Sequence, residues 1–367
     1  MKIGVVGLPN VGKSTLFNAL TRAGAQSANY PFCTIEPNVG IVPVPDARVD
    51  FLAEHYRAKS VVHATIEFVD IAGLVKGAST GEGLGNRFLS HIREVDAILH
   101  VVRCFDKSDI IHVEGDVNPI RDVNTINLEL ILADLDSVNK RLEKVSKQSR
   151  QGSNKDVMAE LKILEEIKTA LEYENPASSI ISTDEQRELV RTFGLLTSKP
   201  VIYCANVDEG DIANGGVNNV HLQSLEKFAI EQNNSVITVC AKIEEELSLV
   251  NDIAERAELM EMYGLRQSGL DKLVAASYKL LGLISFLTAG EPEVRAWTIR
   301  EKTRAPQAAG KIHTDFERGF IRAEVVSYDD LRAFGSHLRA KEAGRVRSEG
   351  KDYVVKDGDI ITFKFNV

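Results

Sequence analysis

A phosphate-binding loop opens the chain and limits the folds that it can adopt. Residues 7–15 read GLPNVGKST, a complete G-x-x-x-x-G-K-[ST] motif directly after the apolar stretch of residues 1–6. In this motif a buried strand leads into the loop, and the glycines let backbone N–H groups turn toward a phosphate. The helix that follows points its positive end at the same anion. The sequence therefore predicts a nucleoside triphosphate site in an α/β domain.

The residues of this loop divide the chemistry between them. Lys13 is expected to neutralise charge between the β- and γ-phosphates and so to act in catalysis, while the Ser14 hydroxyl completes a Mg²⁺ shell. The predicted nucleotide contacts within the loop are Asn10, Val11, Gly12, Lys13, Ser14 and Thr15.

Residues further along the chain test this interpretation independently. Residues 70–73, DIAG, end a β-branched and apolar run. Asp70 can there reach Mg²⁺ through water, and the Gly73 N–H can sense the γ-phosphate during catalysis. Thr34 follows the first predicted helix and is positioned to close over the metal. The predicted metal ligands are Ser14, Thr34 and Asp70.

Two later strand ends mark the expected base-binding loops. Asn206 follows the apolar run of residues 201–205, and residues 240–242, CAK, follow the run of residues 235–239. Ligands of open α/β sheets bind beyond the carboxyl ends of the strands. The predicted base contacts are Asn206, Val207, Glu209, Ala241 and Lys242.

Length and composition indicate a globular protein of two or three domains. The chain has 367 residues, of which 44% are hydrophobic and 26% charged. No apolar run reaches the roughly 18–20 residues of a membrane span, and the N-terminus lacks the features of a signal peptide. We therefore expect a cytoplasmic protein with no membrane partner. The cysteines lack metal-ligand spacing and are expected to be reduced thiols: Cys33, Cys104, Cys204 and Cys240.

A helical insert interrupts the α/β pattern after residue 121. Apolar residues there recur at intervals of three and four, as in a coiled-coil seam: Leu128, Ile131, Leu135, Val138, Leu142 and Val145. A second helical stripe covers residues 157–171, and Thr183 with Gln186 forms a capping box for a third helix. We predict a P-loop nucleotide-binding domain of residues 1–121 and 199–283, with a helical hairpin insert of residues 122–198.

The remaining residues, 284–367, read as a small mixed β/α domain. Strands are predicted at residues 294–299, 319–326, 353–355 and 359–365, with one helix at residues 328–338 and a turn at residues 356–359.

Two basic clusters suggest a polyanionic partner. The net charge of the chain is −9, yet residues 140–155 hold six basic side chains against Glu143 alone. The predicted nucleic-acid contacts are Lys140, Arg141, Lys144, Lys147 and Arg150 at the tip of the insert, with Arg345 and Arg347 near the C-terminus. The alternative is a solvated helix face that keeps a long helix soluble.

These motifs resemble the translation-factor-type GTPases and, specifically, the YchF (Obg-like ATPase) family. The resemblance covers essentially the whole chain and rests on residues 7–15, GLPNVGKST; 29–38, NYPFCTIEPN; 70–78, DIAGLVKGA; 83–88, GLGNRF; 206–209, NVDE; and 295–299, RAWTI. It implies a ribosome-associated P-loop ATPase with a helical hairpin in its nucleotide domain. It also implies a C-terminal TGS domain of the β-grasp fold.

The base-reading motif departs from that of guanine-specific GTPases. They carry Asn-Lys-x-Asp, whose Asp accepts two hydrogen bonds from guanine, whereas residues 206–209 here are NVDE. Glu209 is one methylene longer, and Val207 removes the lysine that normally braces this loop. ATP is therefore expected to bind, with GTP as the alternative. A one-residue slip would instead let Asp208 read the base.

The residue after Gly73 also departs from the pattern. Leu74 replaces the glutamine with which many GTPases orient the attacking water, so intrinsic hydrolysis should be slow or use another group. The candidates are a water held by backbone atoms, a bound monovalent cation such as K⁺, or His112. The last is otherwise an ordinary loop histidine.

The function predicted from the sequence is that of a Mg²⁺-dependent, ATP-hydrolysing switch that binds the ribosome or its RNA. We expect it to be a monomer. The alternatives are a GTP-dependent ribosome-associated protein, or a nucleotide-gated binding protein whose hydrolysis is incidental.

Overall fold

The computed structural model of the chain describes residues 1–26, 38–71, 84–107, 112, 115–151 and 155–366. Four residues singled out by the sequence lie outside these ranges: Cys33, Thr34, Gly73 and Leu74.

Twelve strands and fifteen α-helices occur within the described residues. The strands are β1 (Lys2–Val6), β2 (Val39–Pro43), β3 (Val61–Val62), β4 (Thr65–Asp70), β5 (Ala97–Arg103), β6 (Val201–Asn206), β7 (Ser235–Val239), β8 (Leu283–Ala289), β9 (Val294–Arg300), β10 (Phe320–Ser327), β11 (Arg347–Glu349) and β12 (Asp359–Phe365). The helices are α1 (Lys13–Gln26), α2 (Ala47–Tyr56), α3 (Leu84–Glu94), α4 (Pro119–Gln151), α5 (Lys155–Glu172), α6 (Asp184–Arg191), α7 (Glu209–Ile212), α8 (Val220–Glu231), α9 (Ala241–Leu247), α10 (Ile253–Met262), α11 (Gly269–Leu280), α12 (Ala305–Ile312), α13 (Thr314–Arg318), α14 (Tyr328–Phe334) and α15 (His337–Glu342).

The first sheet positions the candidate site. Its strands follow the order β2-β4-β1-β5-β6-β7, and the pairings from β4 through β7 are parallel. Every residue of β5 is buried, as in parallel sheets that helices cover on both faces. The carboxyl ends of these strands therefore share one edge, and the predicted α/β domain is confirmed.

The predicted helical insert is a hairpin of α4 and α5 with a core of its own. Five residues of the predicted seam line this core, but Leu128 is 40% exposed and lies outside it. The second predicted stripe packs against the first, and the capping box of Thr183 and Gln186 precedes α6 as expected.

Asp134 joins this hairpin to the chain segment that leads back into the sheet. Its carboxylate, on α4, is 1% exposed and accepts hydrogen bonds from the Leu196 N–H at 2.9 Å, the Thr197 N–H at 2.8 Å and the Thr197 hydroxyl at 2.7 Å. Because the segment of residues 195–199 has no regular partner strand, this carboxylate supplies acceptors that its backbone otherwise lacks.

The second sheet is mixed and has the order β11-β10-β12-β8-β9-β3. Strand β10 pairs antiparallel with β11 and β12, β12 runs parallel to β8, and β8 pairs antiparallel with β9. The helices α12 and α13, which we did not predict, follow β9, and the alanines of α12 pack into an apolar core. The TGS assignment of this region stays a prediction.

Two predicted elements of this region were wrong. The predicted helix of residues 328–338 is divided into α14 and α15, because Gly335 adopts a left-handed backbone (φ 70°) that ends α14. Residues 353–355 form no regular strand and contribute one isolated bridge, between Val354 and Arg304.

The chain separates into two compact units. The first is Met1–Ile41 with Glu67–Leu273, and the second is Val42–Ile66 with Val274–Val367. We had placed residues 42–66 in the nucleotide-binding domain. They group with the C-terminal unit because β3 pairs with β9 and Arg48 donates to Asp357 at 2.7 Å. The helical insert groups with the first unit, and its separation as a third domain stays a prediction.

Replacing Asp134 by Ala is expected to lower the free energy of unfolding by roughly 3 kcal/mol, because three buried donors lose their acceptor. Asp136→Ala on the same helix is the matched control. Its exposed carboxylate bonds Lys140, and among the described residues this is its one ion pair, which contributes at most about 1 kcal/mol. Urea unfolding of both variants measures the difference, and equal stabilities would contradict the role given to Asp134.

Candidate nucleotide-binding site

Four loops and the end of β4 meet at the carboxyl edge of the first sheet. The phosphate loop follows β1, and Asp70 ends β4. Residues 104–107, 207–209 and 240–242 follow β5, β6 and β7 respectively, and Asn206 is the last residue of β6. The strand order places β1 centrally, between β4 and β5. The loops that the sequence assigned to phosphate, metal and base thus lie along one edge.

Two glycines let the phosphate loop turn within a crowded space. A side chain at Gly7 would place its first carbon 2.8 Å from the carbonyl oxygen of Val101. Gly12 has φ of 91° and lies against the amide of Asn206, so it combines a left-handed backbone with a close approach. Both positions therefore require glycine.

Lys13 and Asp70 converge beside this loop. The Lys13 ammonium, in the first turn of α1, bonds the Asp70 carboxylate at the end of β4. Their side chains are 12% and 22% exposed, so a ligand can still reach both. The ammonium predicted to bind phosphate and the carboxylate predicted to bind a metal are therefore in direct contact.

The oxygen donors here fit Mg²⁺. That ion usually keeps several waters and binds through one or two carboxylates and the substrate phosphates. Asp70 and the exposed hydroxyl of Ser14 supply such donors. Within the described ranges no group of three or more acidic, histidine or cysteine side chains forms a closed metal cage. Thr34 and Gly73 fall outside those ranges, so their predicted roles stay predictions.

Asn206 links the phosphate loop to the loop after β7. Its buried amide donates to the Val11 carbonyl at 2.9 Å, and its carbonyl accepts from the Ala241 N–H at 3.0 Å. The sequence predicted that Asn206 contacts the base. Because both ends of the side chain already bond backbone groups, the geometry favours a positioning role.

Val207 was predicted to contact the nucleotide, and its buried side chain leaves only its backbone for such a contact, which stays a prediction. The side chain is 2% exposed and packs in an apolar cluster with Tyr203, Leu222 and Leu225. Its N–H donates to the Val239 carbonyl at 2.9 Å. Val207 therefore supports the base-binding loops from below.

Glu209 and Lys242 form an ion pair across the two base-binding loops. The Glu209 Oε1 lies 2.5 Å from the Lys242 Nζ, and the side chains are 35% and 60% exposed. The hydrogen bond from Lys242 to Glu209 raises the pKa of Lys242, which stays charged. Ala241 is buried beneath this pair at the start of α9.

His112 does not present a free catalytic imidazole. Its side chain is 2% exposed, and its Nε2 lies 2.8 Å from Asp122 Oδ2, while Arg121 contacts the other oxygen of that carboxylate, Oδ1, at 3.2 Å. Such burial, with a ring nitrogen bonded to a buried carboxylate, favours the alternative interpretation, that of a structural loop histidine.

Two residues at the end of β5 were missed by the sequence analysis. Arg103 is 1% exposed and donates to the carbonyls of Phe105 and Lys107. Lys107 Nζ lies 3.0 Å from Asp208 Oδ1. The signal available in the sequence was their position at and just beyond the end of a buried strand, β5, which pairs with the phosphate-loop strand β1.

Comparisons with known proteins agree with this geometry. Residues 2–158 match a family described as 50S ribosome-binding GTPase, and residues 283–366 match YchF-GTPase_C, described as a protein of unknown function (DUF933). The Ribosome-binding ATPase YchF of Bacillus subtilis is 57% identical over 364 residues, covering 99% of both chains. Obg-like ATPase 1 of Gallus gallus is 45% identical and covers 100% of this chain and 92% of its own.

The chain belongs to the YchF family. A solved structure of the Schizosaccharomyces pombe YchF GTPase superimposes with a TM-score of 0.90 at 43% identity, covering 99% of this chain and 97% of that one. The P-loop α/β fold class and the family-specific C-terminal region are thus established together. None of the described helices of this YchF-family chain has the length and apolar character that crossing a membrane requires.

The predicted nucleic-acid residues separate into paired and unpaired groups. Lys144, Lys147 and Arg150 are exposed, and no ion pair involves them within the described residues. Lys140 and Arg141 have carboxylate partners from outside residues 140–155, which a count of charges along that segment leaves out. Asp136 lies 2.6 Å from Lys140 and Glu160 2.7 Å from Arg141.

The two C-terminal arginines are also paired. Arg345 lies 3.8 Å from Asp330, and Arg347 lies 2.9 Å from Glu349 and 3.6 Å from Asp359. Local carboxylates therefore reduce the positive field of both arginines.

Asn206→Ala should weaken nucleotide binding about tenfold or more, because two buried hydrogen bonds that hold the loops are lost. Asn206→Asp keeps the acceptor for Ala241 but sets a carboxylate oxygen against the Val11 carbonyl, so it should also bind poorly. Titration with a fluorescent nucleotide measures both, with Asn18→Ala on the exposed side of α1 as control. Unchanged affinity in a folded Asn206→Ala protein would contradict the positioning role.

Proposed function

We propose that this chain is a Mg²⁺-dependent, ATP-hydrolysing switch that binds the ribosome or its RNA and has weakened or lost guanine specificity. Relatives named Ribosome-binding ATPase YchF support the nucleoside triphosphatase activity and the ribosomal partner. The observation that carries the proposal is the Glu209–Lys242 ion pair at the base-binding loops.

The engaged carboxylate of Glu209 argues against strong guanine selection. Guanine presents two adjacent donors, N1–H and the exocyclic amine, which need two free acceptors side by side. One Glu209 oxygen already accepts from Lys242, so guanine could use both oxygens only by sharing that one with the ammonium or displacing it. Adenine offers a single exocyclic amine and needs only one acceptor oxygen. Each charge-assisted hydrogen bond that guanine forgoes costs about 1.5–3 kcal/mol.

The phosphate end of the site supports slow hydrolysis. The Lys13 ammonium can exchange its bond to Asp70 for a bond to the phosphates. The Asp70 carboxylate is then free to contact the metal through water. When bound, Mg²⁺ would neutralise charge on the β- and γ-phosphates. A leucine at position 74 cannot orient water, and His112 is held by Asp122. We infer that backbone groups or a monovalent cation orient the water, with slow intrinsic turnover.

The exposed lysines and arginine at the hairpin tip support the ribosomal contact. Lys144, Lys147 and Arg150 point into solvent from one helix end and keep their charge available to phosphates. Few aromatic side chains accompany them, so base stacking adds little and binding should follow RNA shape and charge.

The unmodified protein should bind ATP at least as tightly as GTP. Glu209→Asp should shift the affinity ratio toward GTP by about tenfold, because the shorter carboxylate loses Lys242 and regains the geometry that reads guanine. Val207 stays unchanged in this test, since a lysine at that buried position would disturb the core. Competitive titration of one labelled nucleotide with ATP and GTP measures the ratio.

Glu245→Asp is the matched control, because Glu245 has similar exposure and pairs with Arg22 on α1. A parent protein that selects GTP would refute the adenine preference directly, whatever the variants show.

Reversing the tip charges, with Lys144, Lys147 and Arg150 all changed to Glu, should abolish co-sedimentation with ribosomes at low salt. The parent's binding should itself fall steeply as salt rises, since phosphate neutralisation releases counterions. A control with Lys162, Lys168 and Arg187 changed to Glu carries the same change in net charge elsewhere on the insert. If the folded tip variant still pellets with ribosomes as the parent does, the tip is not the contact.

A further inference from the structure

The base-binding loop contains a second carboxylate that has its own partner. Asp208 directly precedes Glu209 and begins α7 as its N-cap residue, without a side-chain capping bond. Its Oδ1 lies 3.0 Å from Lys107 Nζ, and the two side chains are 43% and 38% exposed. Asp208 and Glu209 are thus each held by a lysine from a different neighbouring loop.

A free Asp208 would change what the loop can recognise. An aspartate on this loop offers two oxygens that can accept from the adjacent N1–H and amine donors of guanine. Asp208 has the short side chain that this arrangement requires, and it lies one residue from the position where guanine-specific proteins carry it. The ion pair with Lys107 engages the Asp208 carboxylate, so that it no longer offers guanine two free oxygens.

Lys107 is held in place from below. The buried Arg103 guanidinium donates to the Phe105 carbonyl at 3.0 Å and to the Lys107 carbonyl at 3.2 Å, and it lies 4.5 Å from the centre of the Phe105 ring. Arg103 also pairs with Asn206 in the register of β5 and β6, and the Cys104 N–H donates to the Asn206 carbonyl at 2.8 Å. The loop that carries Lys107 is therefore tied to the base-binding loop.

Lys107 also makes up for the lysine that this loop lacks. Guanine-specific relatives brace it with a lysine directly after the asparagine, and Val207 takes that position here and is buried. The positive charge reaches the loop instead from the end of the neighbouring strand β5.

We propose that Lys107 is a specificity-determining residue, which holds the Asp208 carboxylate away from the base and so denies guanine a two-oxygen acceptor. The inference rests on the proposed function, because it explains how the adenine preference is maintained beside a second acidic residue. Lys107 acts through Asp208 and is a positioning residue.

The charge state of Asp208 agrees with this arrangement. Burial acts to raise the pKa of Asp208, but the hydrogen bonds from Lys107 and the backbone, with the nearby Lys107 and Lys242 charges, lower it overall. The carboxylate is ionised at neutral pH and would attract the donors of guanine once Lys107 is removed.

The test is a double-mutant cycle of Lys107→Met and Asp208→Asn, read as the ratio of ATP to GTP dissociation constants. Lys107→Met should tighten GTP relative to ATP, on the order of tenfold, the scale of one charge-assisted hydrogen bond. Asp208→Asn should abolish this shift in the double variant, because the carboxylate that reads guanine is then absent. Half-exposed ion pairs add little stability, so both variants should fold.

Lys168→Met is the matched control, because the Lys168 side chain is 39% exposed, against 38% for Lys107, and pairs with Glu172 on α5. A ratio that is unchanged in Lys107→Met, or a shift that persists in the double variant, would overturn the inference. The ratio in the unmodified protein tests the proposed function separately, since guanine selection there would refute that proposal without affecting the comparison of variants.

Discussion

The buried amide of Asn206 is the interaction on which the candidate site depends. It bonds the phosphate loop at Val11 and the loop after β7 at Ala241, so one side chain sets the spacing of two loops. Gly12 must lack a side chain because this amide lies against it. Burying an amide without hydrogen-bond partners costs free energy. The arrangement is therefore favourable only when the Asn206 side chain and both loops come together.

Above this amide, opposite charges determine which atoms remain available to a nucleotide. Lys13 is held by Asp70, Asp208 by Lys107 and Glu209 by Lys242. The Asp208–Lys107 and Glu209–Lys242 pairs are at least 35% exposed on both sides, so each contributes little to stability and can be exchanged for a ligand contact. A nucleotide that contacts one of these side chains must displace its ion-pair partner. The free energy of binding at that position is therefore the difference between the new contact and the ion pair that is lost.

Local neutralisation also narrows the proposed ribosomal surface. Carboxylates on the same hairpin neutralise Lys140 and Arg141, and Arg347 lies between two acidic side chains. The charge that can reach a distant phosphate is therefore concentrated at Lys144, Lys147 and Arg150. A count of basic residues along the sequence overstates this surface, because it ignores the carboxylates that folding brings beside them.

The sequence alone determined the elements whose signals are local: the phosphate loop, the alternation of strands and helices, the stripes of α4 and α5, and the capping box at Thr183. These depend on residues a few positions apart, which periodicity and backbone preference reveal. Only the tertiary structure decided what depends on distant partners. It buried Val207, committed both ends of the Asn206 amide, paired His112 with Asp122, and brought Lys107 to Asp208 across about a hundred residues of chain. Hydrogen bonds and ion pairs between separate strand ends leave no periodic trace, because they are specified by where parallel strands finish and not by sequence spacing.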